Sequence, residues 1–306
     1  MASTATTTIE SLDPLSGVDF SQLERSLRRP RTLTDFGLSA IVTGMTLLSL
    51  IPLFSVVLML LWRGGQKLSV SVFTQLPPSA LEQGGGFGNA IVGTLVIVAI
   101  AVLVSVPIGI MTAIYLSQAG GRRLAVCVRF CAKVLTGFPS ILAGVFAYGA
   151  VVLTTGGYSA PAGGVALALL MLPTIILTSE DAIRMVPARM KDAAIGMGAT
   201  RTQTIWMVLL PTAVPGILTG VMLAIARAAG ETAPLLFTAL FSNYWLVSHG
   251  HANLMQPTAS LAVLVYNFAG VPFQNQVELA WAAALVLVLL VLVANLVGQS
   301  LSSRRA

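Results

Sequence analysis

Two ionisable residues stand where a membrane-spanning segment is expected. Arg227 and Glu231 lie four apart in the apolar stretch from Thr212 to Leu240, and on a continuous helix i,i+4 spacing puts them on one face. At 1.5 Å per residue Arg227 would be roughly 21–23 Å from either end of Thr212–Phe241, near mid-membrane. A basic group there costs at least ~2.5–3.5 kcal/mol on insertion scales, so the pair needs a reason. Two reasons are open. The charges can neutralise one another as a silent ion pair. Alternatively, Arg227 can line a polar route for an anion, with Glu231 orienting or gating it. A guanidinium suits tetrahedral oxyanions because it donates two parallel hydrogen bonds.

Other chemistry-bearing residues offer less. Cys127 and Cys131 are two thiols at i,i+4, too few for a metal site, and read as small buried residues. His249 and His251 fall in a polar loop and read as solvated side chains. No G-x-x-x-x-G-K-[ST] motif occurs, so ATP hydrolysis by this chain is not expected.

The elements that must carry Arg227 and Glu231 follow from composition. The 306 residues are 56% hydrophobic and 9% charged, with a mean hydropathy of +0.88. Soluble domains carry about 25% charged residues. That shortfall excludes a soluble globular protein, a disordered tail or a nucleic-acid binder. Residues 1–35 are polar and of mixed charge. No short apolar core followed by a small-residue cleavage site opens the chain, so the first apolar stretch is expected to stay in the mature protein.

A spanning helix needs about 20 mostly apolar residues. Six candidates result: 37–62, 87–118, 125–153, 162–179, 212–240 and 277–301. The third and fourth come from one charge-free run, Val134–Ser179, which as a single helix would be about 69 Å long. The segment Thr154–Pro161 supplies the break. Leu261–Gly270 is apolar but too short to cross and reads as a short external or re-entrant helix. Pro107, Pro139 and Pro173 are expected to kink spans or set their ends. Charge placement agrees with six spans. Fourteen of the 17 Lys and Arg then fall on one side with both termini, Arg63 and Lys67 fall on the other, and Arg227 lies between. The positive-inside tendency makes the side with the termini cytoplasmic.

The longest connection on that side is 180–211. Within it, Asp192-Ala193-Ala194 is followed by Gly198 and Ala199, then by Val208-Leu209-Leu210-Pro211. Helical spacing of apolar residues, broken by Gly196, Gly198 and Thr200, predicts two short helices with a glycine corner. Such an elbow could dock into a partner's groove or be an ordinary amphipathic surface helix.

This segment resembles the EAA loop of ABC importer permeases (Glu-Ala-Ala, three residues, Gly, nine residues, Ile-x-Leu-Pro), with Asp192 for Glu and Val208 for Ile. The run Arg227-Ala228-Ala229-Gly230-Glu231-Thr232-Ala233-Pro234 is similar to the fifth-helix signature of PstA-type phosphate permeases. Pro215–Gly220, Gly137–Ile141, Asn89–Leu95, Glu180-Asp181-Ala182 and Met255-Gln256-Pro257 fit the same family. The resemblance covers roughly 36–302 and implies an all-α integral membrane domain of type I ABC importer permease character. It implies a phosphate pathway at Arg227, Glu231 and Thr232. It also implies ATPase coupling through Asp192, Ala193, Ala194, Gly198 and Ala199. The implied partners are a PstC-type permease in a heterodimer, two copies of an ATPase subunit that binds ATP and Mg, and a phosphate-binding protein outside. No cofactor is implied in this chain. The alternatives are a permease for sulfate or molybdate, and an ion-coupled secondary transporter or anion channel. The inverted repeats typical of secondary transporters are not found.

Overall fold

The computed structural model describes residues 30–119, 121–248 and 251–303. The chain divides into two units, 1–57 and 58–306. Most of the polar N-terminal segment, His249, Arg304 and Arg305 lie outside the described residues. The first unit contributes most of α1 (Pro30–Met59), an apolar helix that continues through a π-helical turn, Leu60–Gly64. Together they are long enough to cross a membrane.

Among its described residues the second unit is built of helices and their connections, with one antiparallel pair of two-residue strands. Its elements are α2 (Val70–Thr74), α3 (Gly88–Ala119), α4 (Arg123–Thr136), α5 (Ser140–Ala147), α6 (Leu153–Thr155), α7 (Ala160–Arg184), α8 (Ala188–Gly196), α9 (Arg201–Gln203), α10 (Leu210–Ala229) and α11 (Ala233–Thr238). Then come the hairpin β1 (Val247–Ser248) and β2 (His251–Ala252), α12 (Leu261–Ala269) and α13 (Gln274–Ser303).

Five described helices have the length and hydropathy of spans: Thr34–Gly64, Gly88–Gln118, Ala160–Arg184, Arg201–Ala229 and Gln274–Ser300. A sixth arises if the bent pair Arg123–Thr136 and Ser140–Thr155 counts as one. The expected third span, 125–153, is therefore not one straight helix. It bends by 108° at Gly137-Phe138-Pro139. Pro139 has no N–H to continue the helical ladder and pushes Phe138 out of the helical region. Pro107 and Pro173, by contrast, lie inside continuous helices. The nine-residue α12 is a short helix, as its length predicts, and packs on α13 and α3.

Helix α7 is the hub. It lies against α3, α10, α4, α5 and α11, and small residues set the approach. Gly109 of α3 rests on Ile175, and Gly164 of α7 rests on Ile100, so α3 and α7 run parallel. Gly216 of α10 meets Ala182 and Gly220 meets Thr178, so α10 runs antiparallel to both. Glycine at such crossings lets backbones approach within reach of dispersion forces, which drive helix association where the hydrophobic effect is absent.

At the end of the bundle opposite α8, buried polar groups tie the connections together. Asn89 Nδ2 donates to the carbonyls of Ser242 (2.8 Å) and Tyr244 (3.3 Å). The Leu261 N–H donates to Thr94 Oγ1 at 2.8 Å, and a side chain at Gly93 would run into the Ala259 carbonyl. The Asn89–Leu95 run thus closes this end of the unit.

Candidate functional site

The 212–240 stretch is not a single helix. One helix runs from Arg201 to Ala229, including a π-helical turn at Thr204–Leu209. It stops at Gly230, and a new short helix, α11, starts at Ala233. The signals are local. Gly230 has the lowest helix propensity of any residue but proline, and Pro234 cannot donate to a preceding turn. The Gly230 and Glu231 N–H groups close the end of α10 on the carbonyls of Arg227 (3.2 Å) and Ala228 (3.2 Å). Thr232 receives α11's first bonds, from Leu235 (3.1 Å) and Leu236 (3.2 Å), on its carbonyl.

Arg227 is consequently in the last turn of α10 and Glu231 just beyond the helix. Their side chains still meet, Nε to Oε1 at 3.5 Å. The depth of the break follows from helix register. Gly216 opposes Ala182, Gly220 opposes Thr178, and beyond the break Leu235 opposes Gly163. Between these fixed points Arg227 falls level with the Leu170–Met171 turn, midway along α7. The mid-depth position expected from a continuous helix is thus reached by an interrupted one. Interrupted helices place backbone polar groups at mid-depth only where they line a cavity or are buried in protein.

Arg227 is half exposed, at 50% of its side-chain surface, and Glu231 is 18% exposed. Four exposed residues of α10 below it, Thr212, Gly216, Thr219 and Leu223, recur at three- and four-residue intervals and form one stripe with Arg227. Two hollows flank the stripe and share Thr219. One, of about 460 Å³, is lined by Thr178, Asp181, Thr212 and Gly216 among others. The second, of about 230 Å³, lies between α10 and α13 and includes Ala226, Asn295 and Gln299. The guanidinium thus stands at mid-depth above a stripe that carries Thr219 and Thr212 together with Leu223.

The second predicted group sits at the other end of α10. Helix α8 carries Asp192, Ala193 and Ala194. Asp192 and Ala193 are exposed and Ala194 is buried. The helix closes through Met197, Gly198 and Ala199, whose N–H groups donate to Ala193 (3.0 Å), Ile195 (2.9 Å) and Ala194 (3.0 Å). Gly198 has φ +87°, a conformation that glycine adopts without penalty. Thr200 then caps the next helix reciprocally with Gln203: the Thr200 N–H donates to Oε1 at 2.8 Å and the Gln203 N–H to Oγ1 at 3.3 Å. Met185 and Met197 flank this elbow at 82% and 83% exposure. The connection is shorter than the expected 180–211. Helix α7 persists to Arg184, with Glu180 paired to Arg129 and Arg184, and helix resumes at Arg201.

A profile described as "Binding-protein-dependent transport system inner membrane component" matches residues 105–306. The phosphate transport system permease protein PstA of Haemophilus influenzae is 40% identical over 238 residues, 78% of this chain and 82% of the relative. That of Yersinia pestis is 38% identical over 244 residues, 79% and 81% of the two. PstA 1 of Mycobacterium tuberculosis strain H37Rv is 35% identical over 295 residues, 94% and 92%. The chain belongs to the PstA-type permease family.

Solved structures agree on the fold. A subunit of a bacterial alginate ABC transporter superposes with TM-score 0.63 at 16% identity, covering 89% of this chain and 96% of that one. A subunit of the inward-facing MetNI methionine transporter gives 0.55 at 20% identity, covering 71% and 93%. The permease is thus an inner-membrane subunit of a binding-protein-dependent importer, and ATP hydrolysis belongs to a separate partner.

Glu180, matched above only as part of a motif, is a buried carboxylate holding Arg129 and Arg184. Its partner Arg129 is 51 residues away. Cys127 and Cys131, expected to be buried, are free and exposed on α4.

Proposed function

We propose that this permease forms half of the pathway of a phosphate importer, with a PstC-type permease as the other half. Two copies of an ATPase subunit, which bind ATP and Mg, dock on the α8 elbow, and a phosphate-binding protein delivers substrate at the opposite face. Both termini are cytoplasmic. The observation that carries the reading is the half-exposed Arg227 at mid-depth, beside an interrupted helix and above a polar stripe.

Arg227 offers the passing phosphate a planar donor fork and a positive charge. Glu231, at 3.5 Å, holds the guanidinium in place when no anion is present and keeps the empty pathway from trapping one. Thr232 supplies a hydroxyl next to the break. Below, Thr219 and Thr212 continue the polar route towards α8, with Leu223 as the apolar position between Arg227 and Thr219. The elbow centred on Asp192, Ala193, Ala194, Gly198 and Ala199 converts ATPase closure into movement of α7 and α10, the two helices it joins. Support comes from the family of the relatives, whose names specify phosphate.

The test is complementation. Expressed with its partner subunits in a strain lacking its own phosphate permeases, the chain restores uptake of labelled phosphate that excess sulfate or molybdate does not compete away. Competition by either would reassign the oxyanion, and uptake without any ATPase subunit would replace the importer with a self-sufficient carrier.

A further inference from the structure

Glu180 lies in the last two turns of α7 with its side chain 3% exposed. Its carboxylate takes three contacts from Arg129 of α4: Nε to Oε1 at 3.1 Å, Nε to Oε2 at 3.2 Å, and Nη2 to Oε1 at 2.6 Å. Arg184, one turn further along α7, brings Nη2 to the same Oε1 at 2.8 Å. Arg129 Nη2 also reaches the Leu116 carbonyl of α3 at 3.5 Å. One carboxylate therefore joins the ends of α3, α4 and α7. Only Met185, Val186 and Pro187 separate Arg184 from α8, the helix of the coupling elbow.

From this arrangement we propose that Glu180 is a positioning residue for coupling: displacement of α8 reaches α3 and α4 through the exchange of Glu180 between Arg184 and Arg129. The inference rests on the reading of α8 as the ATPase-docking elbow.

Three features favour an exchange over a static brace. The two guanidiniums compete for one oxygen, Oε1, while among the described residues Oε2 meets only the Arg129 Nε. The two arginines differ in exposure, 21% for Arg129 and 48% for Arg184, so the Arg184 bond is the one that solvent and a docked partner can reach. The neighbouring Ser179 hydroxyl is buried with no hydrogen-bond partner, so this arrangement does not satisfy every polar group at this end of α7. When α8 is drawn towards the ATPase, Arg184 moves with it and pulls Glu180. Arg129 then loses its bidentate contact, and α4 is freed from α7. Because α4 turns into α5 at the 108° bend, and α5 packs against α11 at Gly144 and Pro234, release of α4 is felt beside the break that holds Arg227.

The test uses the assembled importer in lipid nanodiscs, with ATP hydrolysis measured with and without phosphate-loaded binding protein. Glu180→Gln keeps a hydrogen-bonding side chain of the same shape and removes the charge. It is expected to leave basal hydrolysis intact and to lower the stimulated-to-basal ratio about tenfold, within the usual span of coupling between sites. Arg129→Lys keeps charge but loses the fork, and its ratio should fall between. Unchanged ratios in both variants overturn the proposal. So does loss of basal and stimulated rates together, in proportion to the amount of complex recovered, because that marks a folding brace. If Glu180→Gln does not assemble, the Arg129→Lys ratio decides alone. A wild-type complex stimulated only by a binding protein loaded with another oxyanion corrects the proposed substrate, and the Glu180 comparison is then made with that oxyanion.

Discussion

Gly220 of α10 rests directly on Thr178 of α7, with no room for a side chain at position 220. With Gly216 on Ala182, this contact sets the register that carries Arg227 to mid-depth. Gly220→Val is therefore expected to splay the two helices. Overpacking of this kind costs about 1–3 kcal/mol, which should appear as a lower unfolding temperature of the solubilised permease and as lost uptake. Gly230→Ala is the contrast. Its backbone is in the ordinary right-handed region, and a Cβ there would come no closer than 3.7 Å to the Arg227 carbonyl. Its unfolding temperature should match wild type.

Gly198 presents the opposite situation. A Cβ there meets nothing within 4 Å, but φ is +87°. The obstacle to substitution is backbone conformation rather than space, so even alanine should be harmful, at about 1–2 kcal/mol for the left-handed region. Gly198→Ala should insert normally and co-purify with less ATPase, and uptake should fall with it. Gly196→Ala, also in open space and at the helical end of α8, should retain the ATPase. Equal recovery of ATPase with both variants would show that the elbow's shape does not matter to docking.

These contrasts show which parts of the architecture could be read from the sequence. Charge-free runs follow the apolar helices closely at Thr34–Gly64, Gly88–Gln118 and Gln274–Ser300, whereas the helix expected over 212–240 runs from Arg201 to Ala229, because hydropathy is a property of composition over a window. The same averaging hides a break inside an apolar run. Gly137-Phe138-Pro139 turns the chain by 108° with scarcely any change in hydropathy, and at Gly230, where α10 ends, the charges mark a position without marking a helix end. The pair Arg227 and Glu231 was legible because charge inside a span is conspicuous, even though the helix assumed to present it ends between them. Glu180 was not legible as a clamp. Its partner Arg129 comes from a different helix, and only the folded crossing of α4 and α7 brings the two within 2.6 Å.

Topology can be checked with single cysteines. Cys127 and Cys131 are exposed, so both are first replaced by serine. If both termini are cytoplasmic, a cysteine at 250 should react with an impermeant reagent in intact cells, and one at 303 should react only after permeabilisation. The nine-residue α12 measures about 14 Å, half a bilayer core, and does not reverse the sides. Labelling of both positions in intact cells would mean two crossings between them, so that the Leu261–Gly270 segment spans as well and the six-span count fails.

The role of Arg227 is decided by separating substrate binding from charge neutralisation. Arg227→Gln should abolish phosphate uptake while protein level and ATPase assembly stay normal, because half of the Arg227 side chain is exposed and packing depends little on it. Arg227→Lys keeps the charge, but an ammonium cannot donate two parallel hydrogen bonds to one oxyanion. Its uptake should be impaired as well, by about tenfold if one charge-assisted hydrogen bond of ~1.5 kcal/mol is lost. Glu231→Gln should act differently. It removes the internal anion that competes with phosphate for the guanidinium, so half-saturation should shift to lower phosphate while the maximal rate falls through slower release. The double variant Arg227→Gln with Glu231→Gln separates the two roles. If the pair were only a neutral bridge, removing both charges would leave nothing unpaired and uptake would return. With the guanidinium as the phosphate ligand, the double variant stays inactive, because no donor fork remains at the break in α10. Uptake by the double variant close to wild type would leave the pair as a structural bridge and move the substrate route elsewhere.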